Sequence, residues 1–204
     1  MTDRLQTKFS PSLITGDGRF SGYGAVFGNV DSHRDVIERG AFSASLSTWR
    51  SKGRWPAMRL MHGDNGSNPF RFDNLPIGRW LDMREDARGL WVEGQLLALD
   101  TDLGKRLHAL LAASVLDGLS IGFRPVKTRA GSSGVGRYLV EIDLRELSLV
   151  DEPSNDLARL TAISPSDAAF DKLRDAFGAI KSDTPPPIDA AYDRLMRAMR
   201  AATG

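Results

Sequence analysis

Cysteine is missing from all 204 residues. That excludes disulfides, thiol catalysis and cysteine-ligated zinc, and it fits a reducing cytoplasm. Histidine is nearly as scarce, with only His33, His62 and His108 present, so a histidine base has few addresses. An excess of one charge is missing too. The 27 Lys and Arg against 26 Asp and Glu leave a net charge of +1, which removes the usual electrostatic case for nucleic acid or an anionic membrane as principal partner. There is no run of 18 apolar residues and no apolar core in the opening MTDRLQTKFSPS, so neither a membrane span nor a secretory signal is expected and the protein should stay where it is made. No cluster of ligand-type residues argues for a metal, and no cofactor is expected.

The chain is long enough to bury a sizeable core and suits one domain plus an appendage. GYGAVFGNV (22–30) reads as a glycine-interrupted strand, and the second half of VIERGAFSASLSTWR as a short helix. AMRLMH (57–62) reads as a strand, followed by a long Gly/Asn/Pro loop; IGRWLDMRED and RGLWVEGQLL read as two strands joined around Glu85 to Arg88. Asp100 to Val115 is the clearest helix of the body, capped by Asp100 or Thr101, with Leu103, Leu107, Leu110, Leu111 and Ser114 on one face and Gly118 as its left-handed stop. LSIGFRPV is extended and leads through a Gly/Ser loop into YLVEIDLRELSLV. Beyond residue 160 the texture changes to two amphipathic helices, 164–180 and 188–202, separated by KSDTPPP. We therefore expect a body over 1–160 and a helical appendage over 161–204 with a Pro-rich break at 182–187.

Gly118 to Gly122 spells G-x-S-x-G, the pattern of a hydrolase nucleophile elbow, but the order here is helix, then Ser120, then strand. The elbow requires strand, serine, helix, and a histidine after the serine; none follows His108. With 20 glycines and 18 serines in the chain, the spelling arises easily by chance.

A nucleophilic serine still needs a base. His108 falls on the polar side of its helix and reads as a solvated surface residue, and His33, between Asp31 and Asp35, reads as a turn residue. His62 closes an apolar strand on the same alternate positions as Met58 and Leu60, just before the loop. The last strand supplies an acid: Tyr138, Val140, Ile142 and Leu144 form a period-two row, and Glu146 is next on it. A carboxylate there needs a partner to offset desolvation. Orienting a histidine is one such role; a salt bridge with Arg145 or Arg124 is the other.

In the order His, Ser, acid, these pieces lie in a chain that resembles the prohead maturation proteases of tailed bacteriophages, serine peptidases related in fold to herpesvirus assemblin. The resemblance spans Ser21 to Arg159 and is carried by GYGAVFGNVDSHRDVIERGAF, LMH before PIGRW, DARGLWVEGQLL, LDGLSIGFRPV and EIDLRELSLVDEPSNDLARL. It implies an α+β fold, a mainly antiparallel β-barrel flanked by helices. It implies Ser120 as nucleophile and His62 as general base. Glu146 falls where the third member is expected, although assemblin has a histidine in that role. The family's usual His-Asp pair is interrupted here by Gly63 before Asp64, so Glu146 is preferred to Asp64. Arg124 is a weaker suggestion, as an oxyanion donor.

The activity implied is a serine endopeptidase, packaged inside the procapsid in the host cytoplasm. Its expected substrates are the scaffold protein or the scaffolding segment of the major capsid protein, and its own chain. The resemblance also leaves room for a homo-oligomer, and it calls for no nucleic-acid or membrane partner. The alternative is a structural or scaffolding protein that keeps the fold without activity, against which stands the retention of serine, histidine and carboxylate together.

Overall fold

The computed structural model describes residues 13–63 and 75–162. These belong to the first of two units, 1–162 and 163–204, into which the chain divides. The helices expected over 164–180 and 188–202 lie outside the described residues, as does Asp64.

In chain order the elements are β1 (Arg19–Val26), β2 (Asp35–Ile37), α1 (Ser43–Ser51), β3 (Ala57–Leu60), β4 (Gly78–Glu85), β5 (Gly89–Leu96), α2 (Asp102–Ala112), β6 (Gly118–Ala130) and β7 (Arg137–Val150). They make one sheet in the order β1-β5-β4-β3-β7-β2, with β6 also paired to β7. The pairs β1/β5, β4/β5, β3/β4 and β6/β7 are antiparallel, and only β2 and β3 run parallel to β7. The architecture is the expected α+β one, a mainly antiparallel curled half-barrel with few helices.

The core explains why β7 is central. Leu139, Ile142 and Leu144 point inward along its first part, the register slipping between Leu139 and Glu141 so that Leu139, and not Tyr138 or Val140, fills the core, whereas Leu147, Ser148, Leu149 and Val150 are all buried. Both faces of that end are therefore covered, so the alternation of a half-buried strand gives way to a continuous buried run. Leu147 and Leu149 stand beside Met58 and Leu60 of β3. Phe20, Phe42, Met58, Met83, Leu90 and Leu119 complete the same cluster, each side chain contributing about 1.5–3 kcal/mol on burial.

Two details of the helical reading change. The Thr101 side chain caps α2 by accepting from the Gly104 N–H at 3.1 Å, and the buried face is Gly104, Leu107 and Leu111, with Leu103 exposed. The left-handed residue after α2 is Ser114, at φ 54°, rather than Gly118. Gly118 already belongs to β6 opposite Val150, where a Cβ would lie 2.7 Å from the Val150 carbonyl oxygen; it is a close-approach glycine. Among the described residues no helix is long and apolar enough to cross a membrane.

Candidate active site

The site begins with the ladder between β6 and β7. Ser120 stands opposite Ser148, and Gly122 opposite Glu146. Directly opposed residues of an antiparallel pair share a face, so Ser120, Ser148 and Glu146 project to one side, with Gly122 leaving space among them. The start of β6 is held on its other side by residues 158–160: the Leu119 N–H donates to the Ala158 carbonyl at 2.9 Å, and the Leu160 N–H to the Asp117 carbonyl at 2.8 Å. Asp117 also pairs with Arg159. Ser120 is thus fixed by backbone on both flanks and only 8% exposed.

His62 reaches this face by an irregular route. Ala57 stands beside Glu146 and Arg59 beside Ser148, while Met58 and Leu60 match Leu147 and Leu149. Had β3 continued regularly, His62 would have followed Met58 and Leu60 to the other face. Instead β3 stops at Leu60, and Met61, His62 and Gly63 take φ of 50°, 62° and 70°. Left-handed backbone at two successive non-glycine residues is costly, of order 1 kcal/mol or more each, and such conformations concentrate at functional sites. Period-two counting therefore put His62 on the wrong face, and the left-handed turn carries it to the carboxylate.

A short hydrogen-bond chain holds the turn. His62 Nδ1 lies 2.7 Å from Glu146 Oε1. The Ser148 hydroxyl donates to Glu146 Oε2 at 2.6 Å and its oxygen accepts from the His62 N–H at 3.2 Å. A carboxylate only accepts, so Nδ1 carries the proton and Nε2 of a neutral ring keeps its lone pair. The Glu146 side chain is 13% exposed against 45% for His62, which fits a buried orienting acid behind an accessible imidazole. The alternative partner does not compete: Arg145 pairs with Asp143 at 2.9 Å.

His62 and Ser120 both line a cavity of 240 Å³, together with Leu119, Ile121, Phe123 and Ile37. Gly24 and Ala25 also line it, and Asp31, His33, Ser154 and Asn155 form a polar wall. The His33 Nε2 lies 3.2 Å from the Ser154 hydroxyl oxygen, and Asp31 Oδ1 accepts from the N–H groups of His33 and Asp35 at 2.9 and 2.8 Å. Burial pushes the Asp31 carboxyl up, against those two hydrogen bonds, which pull it down. The Asn155 amide donates to the Val26 carbonyl at 2.9 Å. A hydroxyl, an imidazole with an oriented lone pair and a mixed apolar and polar pocket are the groups that acyl transfer would use.

Of the residues proposed from the sequence, Ser120, His62 and Glu146 come together. Arg124 is exposed and is not among the residues lining the cavity. His108 is half-buried rather than solvated, its Nε2 lying 2.9 Å from the Thr15 carbonyl oxygen, because the segment before β1 covers that side of α2. His33 is indeed a turn residue, yet its ring faces the cavity. Ser148 was overlooked, although Glu146 and Ser148 on alternate positions break the apolar row twice; His33, Ser154 and Asn155 left no comparable signal, being brought in by loops.

Comparison with known proteins gives this geometry its setting. Residues 7–172 match the family described as caudovirus prohead serine protease. The chain belongs to that family. The prohead protease of Enterobacteria phage HK97 is 33% identical over 190 residues, 88% of this chain and 77% of that one. Among solved structures, the bacteriophage T4 capsid assembly protease gp21 superposes with a TM-score of 0.51 at 12% identity, over 65% of this chain and 80% of that one. A Kaposi's sarcoma-associated herpesvirus protease bound to a hexapeptide phosphonate inhibitor gives 0.47 at 12% identity, over 89% and 87%. This family member is accordingly a protease of phage capsid maturation.

Proposed function

We propose that the protein is a serine endopeptidase in which Ser120 is the nucleophile, His62 the general base and Glu146 the residue that orients it. The observation that carries the proposal is the 2.7 Å contact between His62 Nδ1 and Glu146 Oε1, in a histidine that lines one cavity with Ser120. The Ser120 hydroxyl oxygen attacks the scissile carbonyl carbon while His62 Nε2 takes its proton. Glu146 stabilises the imidazolium through Nδ1–H. Collapse of the tetrahedral intermediate breaks the C–N bond, and the amine leaves with the proton from His62. Water, deprotonated by the same nitrogen, then hydrolyses the acyl-serine and restores the enzyme.

The substrates we assign are the scaffold protein or the scaffolding segment of the major capsid protein, and the enzyme's own chain, cut within the procapsid in the host cytoplasm. Family membership supports this assignment. We assign residues 1–160 to the protease domain and 161–204 to an appendage that serves targeting or self-removal, with homo-oligomerisation through either part. The test is co-expression of Ser120→Ala and His62→Ala variants with the capsid and scaffold proteins. Both should fold and leave their partners uncut; unchanged processing in both would overturn the assignment.

A further inference from the structure

A second concavity, of 770 Å³, lies where α1, β3 and β4 meet. Arg50, Arg54, Arg79 and Arg145 line it, and no carboxylate among the described residues does. Lys52 adds a fifth positive charge on the adjoining turn, its Nζ lying 4.6 Å from the centre of the Trp49 ring. Asp143, paired with Arg145 at 2.9 Å, is the one acid among the described residues shown in contact with these cations. The concentration is pronounced in a chain of net charge +1.

The tryptophans of the groove are its framework. Trp49 donates its indole N–H to the Leu144 carbonyl at 2.9 Å, and Trp55 donates to the Leu81 carbonyl at 3.3 Å. Their faces carry the cations: Arg54 over Trp49 at 5.6 Å and Arg50 over Trp55 at 5.5 Å. Arg50 donates to the Met83 carbonyl at 3.0 Å and Arg79 donates from Nε and Nη2 to Gln95 Oε1 at 3.3 and 2.9 Å; the guanidinium N–H groups that remain suit a carboxylate, the planar acceptor that matches two of them at once. One cation already lies over Trp55 and two over Trp49, which leaves these rings less open as stacking platforms for bases, the feature a site for single-stranded nucleic acid requires. That disfavours nucleic acid despite the charge.

The geometry points to this groove as a docking site for an acidic peptide segment, one that flanks the scissile bond of the protein substrate. Calling the segment part of a substrate rests on the protease reading above. Ala57 lines the groove and stands beside Glu146 in the ladder, and the three steps from Ala57 to Leu60 cover about 10 Å at the usual strand rise. A chain held in the groove therefore needs only a few extended residues to reach the His62 end of β3. Such tethering raises the local concentration of the scissile bond without touching the chemistry.

Binding is tested apart from catalysis, in full-length Ser120→Ala protein, by the fluorescence anisotropy of a labelled Glu/Ala-repeat peptide. We expect binding that weakens with added salt, is absent for a Gln/Ala repeat, and falls about 10-fold or more in Arg54→Glu/Arg79→Glu. Arg79→Glu alone, at an exposed position, should move it in the same direction if the double variant fails to fold. Failure of the acidic peptide to bind, equal binding of the Gln/Ala repeat, unchanged binding in the folded variants, or tighter binding of oligo-dT would overturn the inference. Loss of proteolysis elsewhere would not affect this readout. In the active enzyme the same substitutions should raise KM for a substrate with an acidic flank and leave kcat, and the turnover of a neutral short peptide, unchanged.

Discussion

Gly122 and Glu146 face each other across the β6/β7 ladder, and a Cβ on Gly122 would lie 2.3 Å from Glu146 Oε1. That oxygen is the one that meets His62 Nδ1 at 2.7 Å. The glycine two residues after Ser120 is therefore the space in which the carboxylate lies. Gly122→Ala should force Glu146 aside and misorient His62 with little damage to the fold, because the obstructed group is a side-chain end. We expect kcat to fall about 100-fold, the cost of misplacing a reacting group by about 1 Å, with thermal unfolding shifted only slightly. Full activity in Gly122→Ala would show that the carboxylate has no need of its observed position.

This glycine also shows where the sequence was legible and where it was not. Periodicity marked β5 and the body of α2, each of which buries one face along its apolar spacing, whereas the alternation read into β7 holds only in part, its end being buried on both faces. Glu146 stood out because a carboxylate breaking an apolar row must be explained. The position of His62 did not follow from periodicity. A regular strand would have sent it to the wrong face, and three left-handed residues have no reliable signature when two of them are Met and His. The polar wall of Asp31, His33, Ser154 and Asn155 comes from loops far apart in sequence, so no local pattern assembles it. G-x-S-x-G likewise concealed two unrelated requirements: Gly118 avoids the Val150 carbonyl, and Gly122 makes room for Glu146.

Ser148 separates orientation from chemistry. It is fully buried and ties Glu146 Oε2 to the backbone of His62. Removing a hydrogen bond to a charged group of this kind costs about 1.5–3 kcal/mol, so Ser148→Ala should lower both kcat and stability, and Ser148→Thr should restore part of each where the extra methyl fits. Glu146→Gln should be more severe for rate than for stability, by about 10³–10⁴ in kcat, as expected when the partner of a catalytic imidazole selects the wrong tautomer. Single-turnover cleavage alongside chemical denaturation distinguishes the two. A Glu146→Gln enzyme within a few-fold of wild type would remove Glu146 from the catalytic group.

The loop bearing His33 is anchored at Asp35, whose 5% exposed carboxylate makes a bidentate pair with Arg137 at 2.8 Å on both oxygens. The two halves of the pair are unequal, because the Arg137 side chain is 44% exposed and its partner only 6%. Without Arg137 a buried carboxylate is left uncompensated, at a cost of about 3 kcal/mol; without Asp35 the guanidinium turns to water. Arg137→Ala should therefore destabilise the protein more than Asp35→Ala in urea titration. The opposite order would mean that the pair is solvated in solution.

At the β4/β5 turn the pH dependence has a definite sign. Burial raises the Asp86 carboxyl, but hydrogen bonds from the Arg88 N–H, the Tyr23 hydroxyl and the Gly89 N–H, at 2.7, 2.9 and 3.0 Å, together with the Arg84 charge, hold it below its ordinary value. Burial and the bond to Asp86 push the Tyr23 phenol up. A depressed carboxyl gives stability that is complete above its unfolded pKa and is lost as pH falls through the folded one. A raised phenol gives stability that is complete below 10.0, its ordinary value, and is lost as pH rises through the folded pKa. The Tyr23–Asp86 bond is thus at full strength across the neutral range and fades at both ends. Tyr23→Phe should cost about 1 kcal/mol at neutral pH, measured by denaturant titration, and the gap from wild type should close in acid below the Asp86 pKa. A gap that stayed constant from acid to neutral pH would show that the hydroxyl acts independently of the Asp86 charge, since the edge-on packing of the ring on Trp91 at 5.2 Å is kept in the Phe variant.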